Sequence, residues 1–220
     1  MQTTVGDPIQ LKTVFGLFRA YYVHRPEIKG EQPIEGVAIS SIKDDSVGPI
    51  LVRVQSSCLF SESLNSVDCD CALQLDYALE AISKCEGIVV YFYEEGRGMG
   101  LEFKVNAIRL QQTQNIDTAA AYGTLGARID VRNYIAAAEA IQCLGGGRGV
   151  VLLSNNTEKE NLLRGHGVNI IERRQIICGI TRPEIVDYLM SKKRILGHDI
   201  PDLPRPETLP PRLDRGSLEG

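Results

Sequence analysis

The amino-terminal part of the chain is a series of short segments in which apolar and polar residues alternate. Residues 13–23 alternate and carry several aromatic side chains, which predicts a strand or hairpin arm. Glu35–Ile42 and Pro49–Gln55 predict two further strands, because alternation with a period of two gives each segment one core-facing side. The polar segment Lys43–Gly48 between them predicts a turn. We therefore expect this part of the chain to be rich in β-structure.

The rest of the chain combines helical spacing with two continuous apolar runs. The runs, Gly87–Tyr93 and Val150–Ser154, are typical of buried strands. Two short strands are predicted at Val168–Ile171 and Gln175–Cys178. Helices are predicted at residues 72–84, 101–114, 130–143, from Thr157 to about Gly165, and 188–196. This order predicts a mixed α/β fold, with a β-rich amino-terminal part and a β/α carboxy-terminal part.

The pattern predicts one domain followed by a tail. The length of 220 residues is sufficient for one domain with its own core, and we expect it to span residues 1–198. Residues 199–220 contain five prolines and have no apolar periodicity. Such a composition predicts a solvated, disordered tail.

Composition and charge limit the classes of function. A net charge of −4 gives the chain no basic signature for nucleic acid or an anionic membrane, so an anionic substrate needs a local cluster of Arg and Lys. The longest apolar runs, such as Ile88–Tyr93, are much shorter than the roughly 20 residues of a membrane-spanning helix. The amino terminus has no secretory signal, so we expect a cytoplasmic protein whose six cysteines are reduced.

Three of the cysteines are closely spaced. Cys58 is followed by Cys69 and Cys71, and thiolates are soft ligands that suit zinc. No histidine or other cysteine is spaced as an obvious fourth ligand. Three protein ligands with an open fourth position are typical of a catalytic zinc that binds water. Three buried thiols without a metal are the alternative that the spacing alone leaves open.

Ordered motifs with matching spacing run through almost all of residues 14–198. They are Arg53–Cys58, Asp68–Gln74, Glu94–Leu101, Asp117-Thr118, Leu125-Gly126, Asp130–Arg132, Leu153–Asn156 with Lys159, and Tyr188-Leu189 through Gly197-His198. In these motifs the chain resembles the GTP cyclohydrolase II family. The resemblance implies a homodimeric enzyme that binds GTP and Mg²⁺ at a zinc site. Such an enzyme releases pyrophosphate, opens the imidazole ring of the guanine and expels C8 as formate, which begins riboflavin synthesis.

The resemblance also implies roles for individual residues. Cys58, Cys69 and Cys71 would bind one zinc ion, which lowers the pKa of a bound water that attacks purine C8. Eight further positions match family residues that contact the nucleotide: Arg53, Gln74, Glu95, Gly96, Arg97, Thr118, Ser154 and Lys159. Ser154 replaces a threonine that is usual in the family and keeps the hydroxyl group. An ordinary surface, turn or helix-cap residue is the alternative at each of these eight positions.

Asp130 and Arg132 match a catalytic pair of the family. In the family scheme the arginine attacks the α-phosphate and forms a covalent nucleotidyl intermediate, and the aspartate activates it. A guanidinium stays protonated, with a pKa above about 12, which favours a different role for Arg132 as a clamp on the phosphate. An ordinary Asp and Arg at the start of a helix is the remaining alternative.

Three positions depart from the family pattern. Ile108 stands where the family has a catalytic tyrosine, on the helix after the glycine-rich loop. Isoleucine neither donates nor accepts a proton, so we expect the reaction to stop after ring opening, with C8 retained as a formamide. Gln55 replaces a histidine and Ser57 a glutamate beside Cys58, where neighbouring residues tune a metal site.

Several hypotheses about function follow. The first is a zinc-dependent hydrolase that opens the guanine ring of GTP, releases pyrophosphate and stops at a formamidopyrimidine nucleotide. The second is a full GTP cyclohydrolase II, in which another group replaces the phenol and formate is released. The third is a non-catalytic regulator that binds a nucleotide. Another nucleotide as substrate is compatible with Gln55 and Ser57, whereas the charge of −4 disfavours a zinc module for nucleic acid.

Overall fold

One mixed sheet organises the protein, whose computed structural model describes residues 2–27, 32–127 and 130–206. Within these residues the sheet has eight strands: β1 Thr4–Val5, β2 Ile9–Thr13, β3 Gly16–Arg25, β4 Ile34–Ser40, β5 Ile50–Ser56, β6 Gly87–Phe92, β7 Val150–Leu153 and β8 Ile170–Arg174. The α-helices are α1 Cys71–Lys84, α2 Leu101–Gln114, α3 Thr118–Thr124, α4 Ile135–Gly145, α5 Thr157–Gly165 and α6 Pro183–Leu196. In this part of the chain none of them is long and apolar enough to cross a membrane. The predicted mixed α/β fold is confirmed.

The two halves of the sheet differ in strand direction. The strand order is β1-β3-β4-β6-β5-β7-β8, with β2 also paired to β3. β1, β2 and β4 are antiparallel to β3, and β4 is antiparallel to β6. β5 is parallel to β6 and β7, and β7 is parallel to β8. Helices connect the parallel strands, because such connections must cross over the sheet, and this agrees with the predicted β-rich and β/α parts.

A helix covers each face of the sheet. Ile88 and Val90 of β6 cluster with α4, which packs closely through alanines such as Ala137. Val89 points to the opposite face, because successive side chains of a strand alternate, and it clusters with Ile82 of α1. Both faces of the central strands are therefore buried, which explains their continuous apolar sequence.

α2 and α3 form a smaller cluster of their own. Ala107 of α2 is buried with Ala121 and Tyr122 of α3, and the rings of Phe103 and Tyr122 meet edge to face at 4.8 Å between centroids. The sequence pattern does not predict α3, which has only seven residues. Asp117 begins this helix by accepting a hydrogen bond from a backbone N–H of its first turn. The pair of helices contributes to neither of the two clusters that pack on the sheet.

Two helices begin at residues other than those predicted. α4 begins at Ile135 and not at residue 130, because Asn133 accepts a hydrogen bond from the N–H of Ile135 at 3.1 Å and Tyr134 has a positive φ of 59°. α6 begins at Pro183, earlier than the predicted start at 188. Proline is favoured at this position because the first turn of a helix needs no N–H donor.

Of the two short strands predicted at Val168–Ile171 and Gln175–Cys178, only the first forms, as β8 at Ile170–Arg174. The second strand does not form because a side chain takes the place of a neighbouring strand. Asn155 accepts a hydrogen bond from the N–H of Ile176 at 2.8 Å and donates one to its carbonyl oxygen at 2.6 Å. This amide holds the segment after β8 against the end of β7.

The packed part of the chain extends past residue 198, where the sequence predicts a solvated tail. Ile200 is 3% exposed and packs with Ile185 and Leu189 of α6. A single isoleucine beside prolines has no periodicity by which such packing can be recognised from the sequence. The predicted tail at residues 207–220 lies outside the described residues.

Candidate active site

The candidate site lies at the carboxyl ends of three adjacent parallel strands. β5 leads to Cys58, β6 leads to a turn at Glu95–Gly98, and β7 leads to Ser154. Because these strands are neighbours and run in the same direction, their loops meet at one edge of the sheet, where ligands bind in open α/β folds. The loops line a cavity of about 460 Å³, which is within the size range of small-molecule sites.

This cavity brings together nearly all of the residues that the sequence singled out. Those that line it are Arg53, Cys58, Cys69, Cys71, Gln74, Glu95, Gly96, Arg97, Thr118, Arg132, Ser154 and Lys159. Asp130 does not line it but bonds to Arg132, which does. Ile108 also lines the cavity, whereas the next residue, Arg109, is exposed. The position at which the resemblance predicts a departure from the family pattern therefore lies inside the site.

The three cysteines form a group suited to one metal ion. The Sγ atoms of Cys58, Cys69 and Cys71 all lie within 4.8 Å of one another, and those of Cys58 and Cys69 are 3.7 Å apart. A tetrahedral zinc ion with Zn–S bonds of about 2.3 Å separates its sulfur ligands by about 3.8 Å. The spacing and the soft donor set therefore fit zinc with an open fourth position.

The cysteines share their protons unequally. Hydrogen bonds from Cys69 and Cys71, aided by the nearby charge of Lys104, lower the pKa of Cys58. Hydrogen bonding to Cys58 raises the pKa of Cys69 and of Cys71. Cys58 is therefore the sulfur atom on which negative charge is most favoured, and Lys104 Nζ lies 3.2 Å from it.

The turn after β6 has an unusual backbone. Gly96 and Arg97 both have positive φ values, 58° and 60°, a conformation that is costly for a residue with a side chain such as Arg97. A Cβ atom on Gly98 would lie 2.9 Å from the side chain of Val131. The turn directs the Arg97 guanidinium over the ring of Tyr122, at 5.2 Å from its centroid. The glycines thus let this loop pack tightly at the cavity.

Arg53 belongs to a buried polar network at the floor of the cavity. Its guanidinium donates to Gln55 Oε1 at 2.7 and 3.0 Å, to Gln74 Oε1 at 2.5 Å and to the Leu153 carbonyl at 3.0 Å. Gln74 in turn donates to Asp70, which is fully buried. Arg53 is thereby held between β5, β7 and the start of α1.

Gln55 joins this network to the metal loop, the segment from Cys58 to Cys71 that carries the three predicted metal ligands. Its amide donates to Glu62 Oε1 at 2.8 Å and to the carbonyl oxygen of Cys71 at 3.3 Å. Glu62 Oε2 also accepts hydrogen bonds from the Tyr91 hydroxyl at 2.6 Å and from the N–H of Cys58 at 3.1 Å. Gln55 therefore contacts the backbone of one predicted metal ligand, Cys71, and supports another, Cys58, through Glu62.

Arg132 is clamped by its predicted partner. Asp130 accepts hydrogen bonds from Arg132 Nε at 2.9 Å and from Nη2 at 2.5 Å, and Ser56 accepts one from Nη1 at 3.0 Å. Burial opposes the charged guanidinium, but Tyr134 and Asp130 outweigh it and raise the pKa of Arg132. Burial likewise opposes ionisation of Asp130, yet Arg132 outweighs it and lowers the pKa of that carboxyl group. Both side chains are therefore charged at neutral pH.

Lys159, Ser154 and Thr118 reach the cavity from three different elements. Lys159 of α5 is 6% exposed and donates to the Val54 carbonyl at 2.7 Å. Burial, followed by repulsion from Arg53 and Arg132, lowers its pKa well below the usual value. Thr118 Oγ1 donates to Gln111 at 3.0 Å, and Ser154 is fully buried after β7.

Positive charge dominates the lining of the cavity. Among the described residues it carries six basic side chains, Arg53, Arg97, Lys104, Arg132, Lys159 and Lys192, against three acidic ones, Asp68, Glu94 and Glu95. The chain as a whole has a net charge of −4, so this concentration of cations is local. A local cluster of Arg and Lys of this kind is what a chain with a net negative charge needs in order to bind an anionic substrate.

Some residues that line the cavity have no binding or catalytic role predicted from the sequence. Lys104, Tyr188 and Lys192 line it, and the ammonium of Lys192 lies 4.1 Å from the ring centroid of Tyr188. Burial, aided by Lys192 and Lys159, lowers the pKa of His198 to about 3, so its imidazole is neutral at neutral pH. The sequence contains one indication that Lys104 lies at the site. It is four residues before Ile108 on the same predicted helix, so the two side chains lie on the same side of that helix.

Comparison with known proteins agrees with this geometry. The chain matches the GTP cyclohydrolase II family over residues 5–175. A GTP cyclohydrolase-2 of Histophilus somni (strain 2336) is 38% identical over 192 residues, which cover 87% of this chain and 86% of that protein. A GTP cyclohydrolase-2 of Neisseria meningitidis is 37% identical over 190 residues, with 86% and 92% covered. The motifs, the cavity and these relatives lead to one conclusion: the chain belongs to the GTP cyclohydrolase II family.

Proposed function

We propose that the protein is a zinc-dependent hydrolase that opens the imidazole ring of GTP, releases pyrophosphate and stops at the formamidopyrimidine nucleotide. Membership of the family supports the hydrolase activity. The observation that carries the rest is the composition of the cavity. It joins three thiols and six basic side chains to an aliphatic side chain, Ile108, at the position where the resemblance implies a tyrosine.

The three cysteines and the basic side chains have separate roles in the proposed reaction. Cys58, Cys69 and Cys71 would hold zinc, which would supply an acidic bound water for the attack at C8. Arg132 and Lys159 both lie against the ring of Tyr134, at 5.4 and 5.3 Å from its centroid, and a bound triphosphate would favour the protonated form of Lys159. Convergent cations suit the triphosphate and the charge that develops as pyrophosphate leaves.

Arg132 acts in this proposal as a clamp and not as a nucleophile. A guanidine must lose its proton before it can attack phosphorus, and the raised pKa of Arg132 opposes that loss. Its two hydrogen bonds to Asp130 fix the plane of the guanidinium, and the donor to Ser56 faces the metal loop. Asp130 is therefore a positioning residue that orients the clamp.

The fate of C8 depends on proton transfer after the ring has opened. One water cleaves the phosphate bond and a second opens the ring, which leaves the C8 carbon as a formamide. A third water is needed to release formate, and this step requires a proton donor for the leaving amine. Ile108 offers none, which supports retention of the formyl group.

Incubation with GTP labelled with carbon-13 at C8 tests the proposal. With zinc and Mg²⁺ the wild-type chain is expected to give pyrophosphate and a nucleotide that keeps the label as a formyl carbon, detected by NMR and mass spectrometry. The Ile108→Tyr variant is expected to release labelled formate, because it restores a phenol inside the cavity. Val105→Tyr is the matched control, since Val105 lies on the exposed side of the same helix.

The same assay distinguishes the other candidate functions. Release of labelled formate by the wild-type chain would instead identify a full GTP cyclohydrolase II. The phenols of Tyr122 and Tyr188, which also line the cavity, are the observation that favours this second candidate. Unchanged GTP would identify a nucleotide-binding regulator.

A homodimer is part of the proposal. The hairpin of β2 and β3 exposes apolar side chains, including Ile9, Val14 and Leu17, and a second copy of the chain would cover them. Light scattering of the full chain should therefore give twice the monomer mass. The mass of a single chain at micromolar concentration would contradict the dimer.

Mg²⁺ and a cytoplasmic location complete the proposal. Mg²⁺ would enter with the triphosphate, because it prefers phosphate oxygens and few protein ligands. Thiolate ligands require reduced cysteines, and the cytoplasm keeps them reduced. Omission of Mg²⁺ from the labelled-GTP assay should slow release of pyrophosphate, and an unchanged rate would exclude a role for this ion.

A further inference from the structure

Lys104 contacts one of the three predicted metal ligands. It lies at the start of α2, and its Nζ atom is 3.2 Å from Sγ of Cys58. The same ammonium donates to both carboxylate oxygens of Glu95, at 2.9 and 3.2 Å, and lies 5.0 Å from the ring centroid of Phe60. The side chain of Lys104 is 19% exposed and that of Glu95 is 12% exposed. The ammonium is therefore held between a thiol, a carboxylate and an aromatic ring.

Glu95 holds both Lys104 and the backbone beside Cys58 in place. In addition to Lys104, its carboxylate accepts a hydrogen bond from the N–H of Leu59 at 2.6 Å. Leu59 directly follows Cys58, so one carboxylate positions the ammonium and also the backbone beside the metal ligand. Movement of Lys104 away from Cys58 would leave the partly buried Glu95 without its cation, which is unfavourable.

The face of α2 that carries Lys104 points into the site. Lys104, Ile108 and Gln111 all line the cavity, and their spacing of four and three residues places them on one side of the helix. Lys104 is the charged member of this row. It reaches the sulfur atom, whereas the aliphatic Ile108 follows one turn later.

The contact between Lys104 and Cys58 would offset negative charge at the metal site. Zinc with three thiolate ligands carries one net negative charge, and electron donation from the sulfur atoms weakens the pull of the metal on a bound water. A hydrogen bond from an ammonium to a thiolate is charge-assisted and withdraws part of that electron density. Contacts of this kind to the ligands tune both metal affinity and reactivity.

We propose that Lys104 is a positioning residue of the metal site, whose N–H···S hydrogen bond to Cys58 holds this ligand in place and offsets the negative charge of the three thiolates. The inference rests on the zinc site of the proposed function. It assigns Lys104 to the metal and not to the nucleotide, and it assigns Glu95 to the orientation of Lys104.

Cobalt(II) substitution of the full-length protein tests this role, because thiolate-to-cobalt charge-transfer absorption reports on the sulfur ligands directly. In the Lys104→Met variant the band is expected to move to lower energy, since a thiolate without its hydrogen bond gives up an electron more easily. For the zinc-loaded variant we expect kcat with GTP to fall by about 10–100-fold with little change in KM. Lys104→Arg keeps the charge and a donor, so its band should stay near the wild-type position.

The controls separate the possible failures. Lys43→Met makes the same change at an exposed lysine in the turn after β4 and should alter neither the band nor kcat. Absence of a charge-transfer band in the wild-type protein would overturn the zinc site itself. A wild-type band that stays in place in Lys104→Met would overturn the role of Lys104 alone. If circular dichroism shows that Lys104→Met is unfolded, Lys104→Gln provides the comparison, because it keeps a neutral donor and should give a smaller shift in the same direction.

Discussion

The Cys71→Ser variant is expected to contain no zinc and to leave GTP intact. Cys71 is the first residue of α1, and its Sγ atom lies with those of Cys58 and Cys69 in a group no wider than 4.8 Å. Serine has almost the same shape, but its hydroxyl stays protonated at neutral pH and is a poor ligand for zinc. Only two thiolates would remain, which is too few for a stable site.

The expected loss of activity is large because, in the proposed function, the metal would act on the reacting carbon. A Lewis-acidic metal stabilises a transition state by several kcal/mol, which corresponds to a decrease in turnover of about 10³-fold or more. Elemental analysis of zinc and the labelled-GTP assay measure the two effects. Cys143→Ser is the matched control, because Cys143 is exposed on α4 and should be replaceable without loss of zinc. A Cys71→Ser protein with full zinc content and turnover would refute the proposed metal site.

The Arg132→Met variant is expected to lose both turnover and stability. Asp130 would keep its charge without the guanidinium that balances it, and removal of one partner of a buried pair is costly. The Asp130 side chain is 27% exposed, so we expect a loss of about 2–3 kcal/mol, smaller than for a fully buried pair. Loss of a preorganised cation at the phosphate should lower kcat by about 10²–10³-fold.

Arg132→Lys separates these two effects. Lysine keeps the charge beside Asp130, so most of the stability should return, but it cannot form two parallel hydrogen bonds and kcat should stay low. Urea unfolding and the rate of pyrophosphate release provide the measurements. Full activity of Arg132→Met would exclude the clamp.

Acid should remove the stabilising effect of this pair in the wild-type protein. The folded state lowers the pKa of Asp130, so the ionised carboxylate stabilises folding at pH values above the ordinary value of 3.8. That contribution is lost as the pH falls below this value, through the lower pKa of the folded state. In Arg132→Met this dependence of the free energy of unfolding on pH should disappear or reverse. Without the guanidinium, burial favours the protonated form of Asp130 in the folded state.

The sequence predicts the sheet and the strand ends better than it predicts the contacts between loops. The apolar runs of β6 and β7 indicate buried strands, and they place Gly96, Arg97 and Ser154 at the strand ends that line the cavity. Periodicity cannot predict the contact of Lys104 with Cys58, because these residues are 46 positions apart and meet through a turn with two left-handed residues. Asn155 is a similar case, since its amide replaces a strand that the pattern at Gln175–Cys178 predicts.

The separate packing of α2 and α3 has a consequence for the evolution of the reaction. Lys104 and Ile108, which line the cavity, lie on a helix whose buried residues cluster with α3 and not with the cores on the two faces of the sheet. Substitutions on the cavity side of α2 therefore disturb few of the contacts on which folding depends. Selection can therefore alter this wall of the cavity without changing the sheet that supports the three cysteines.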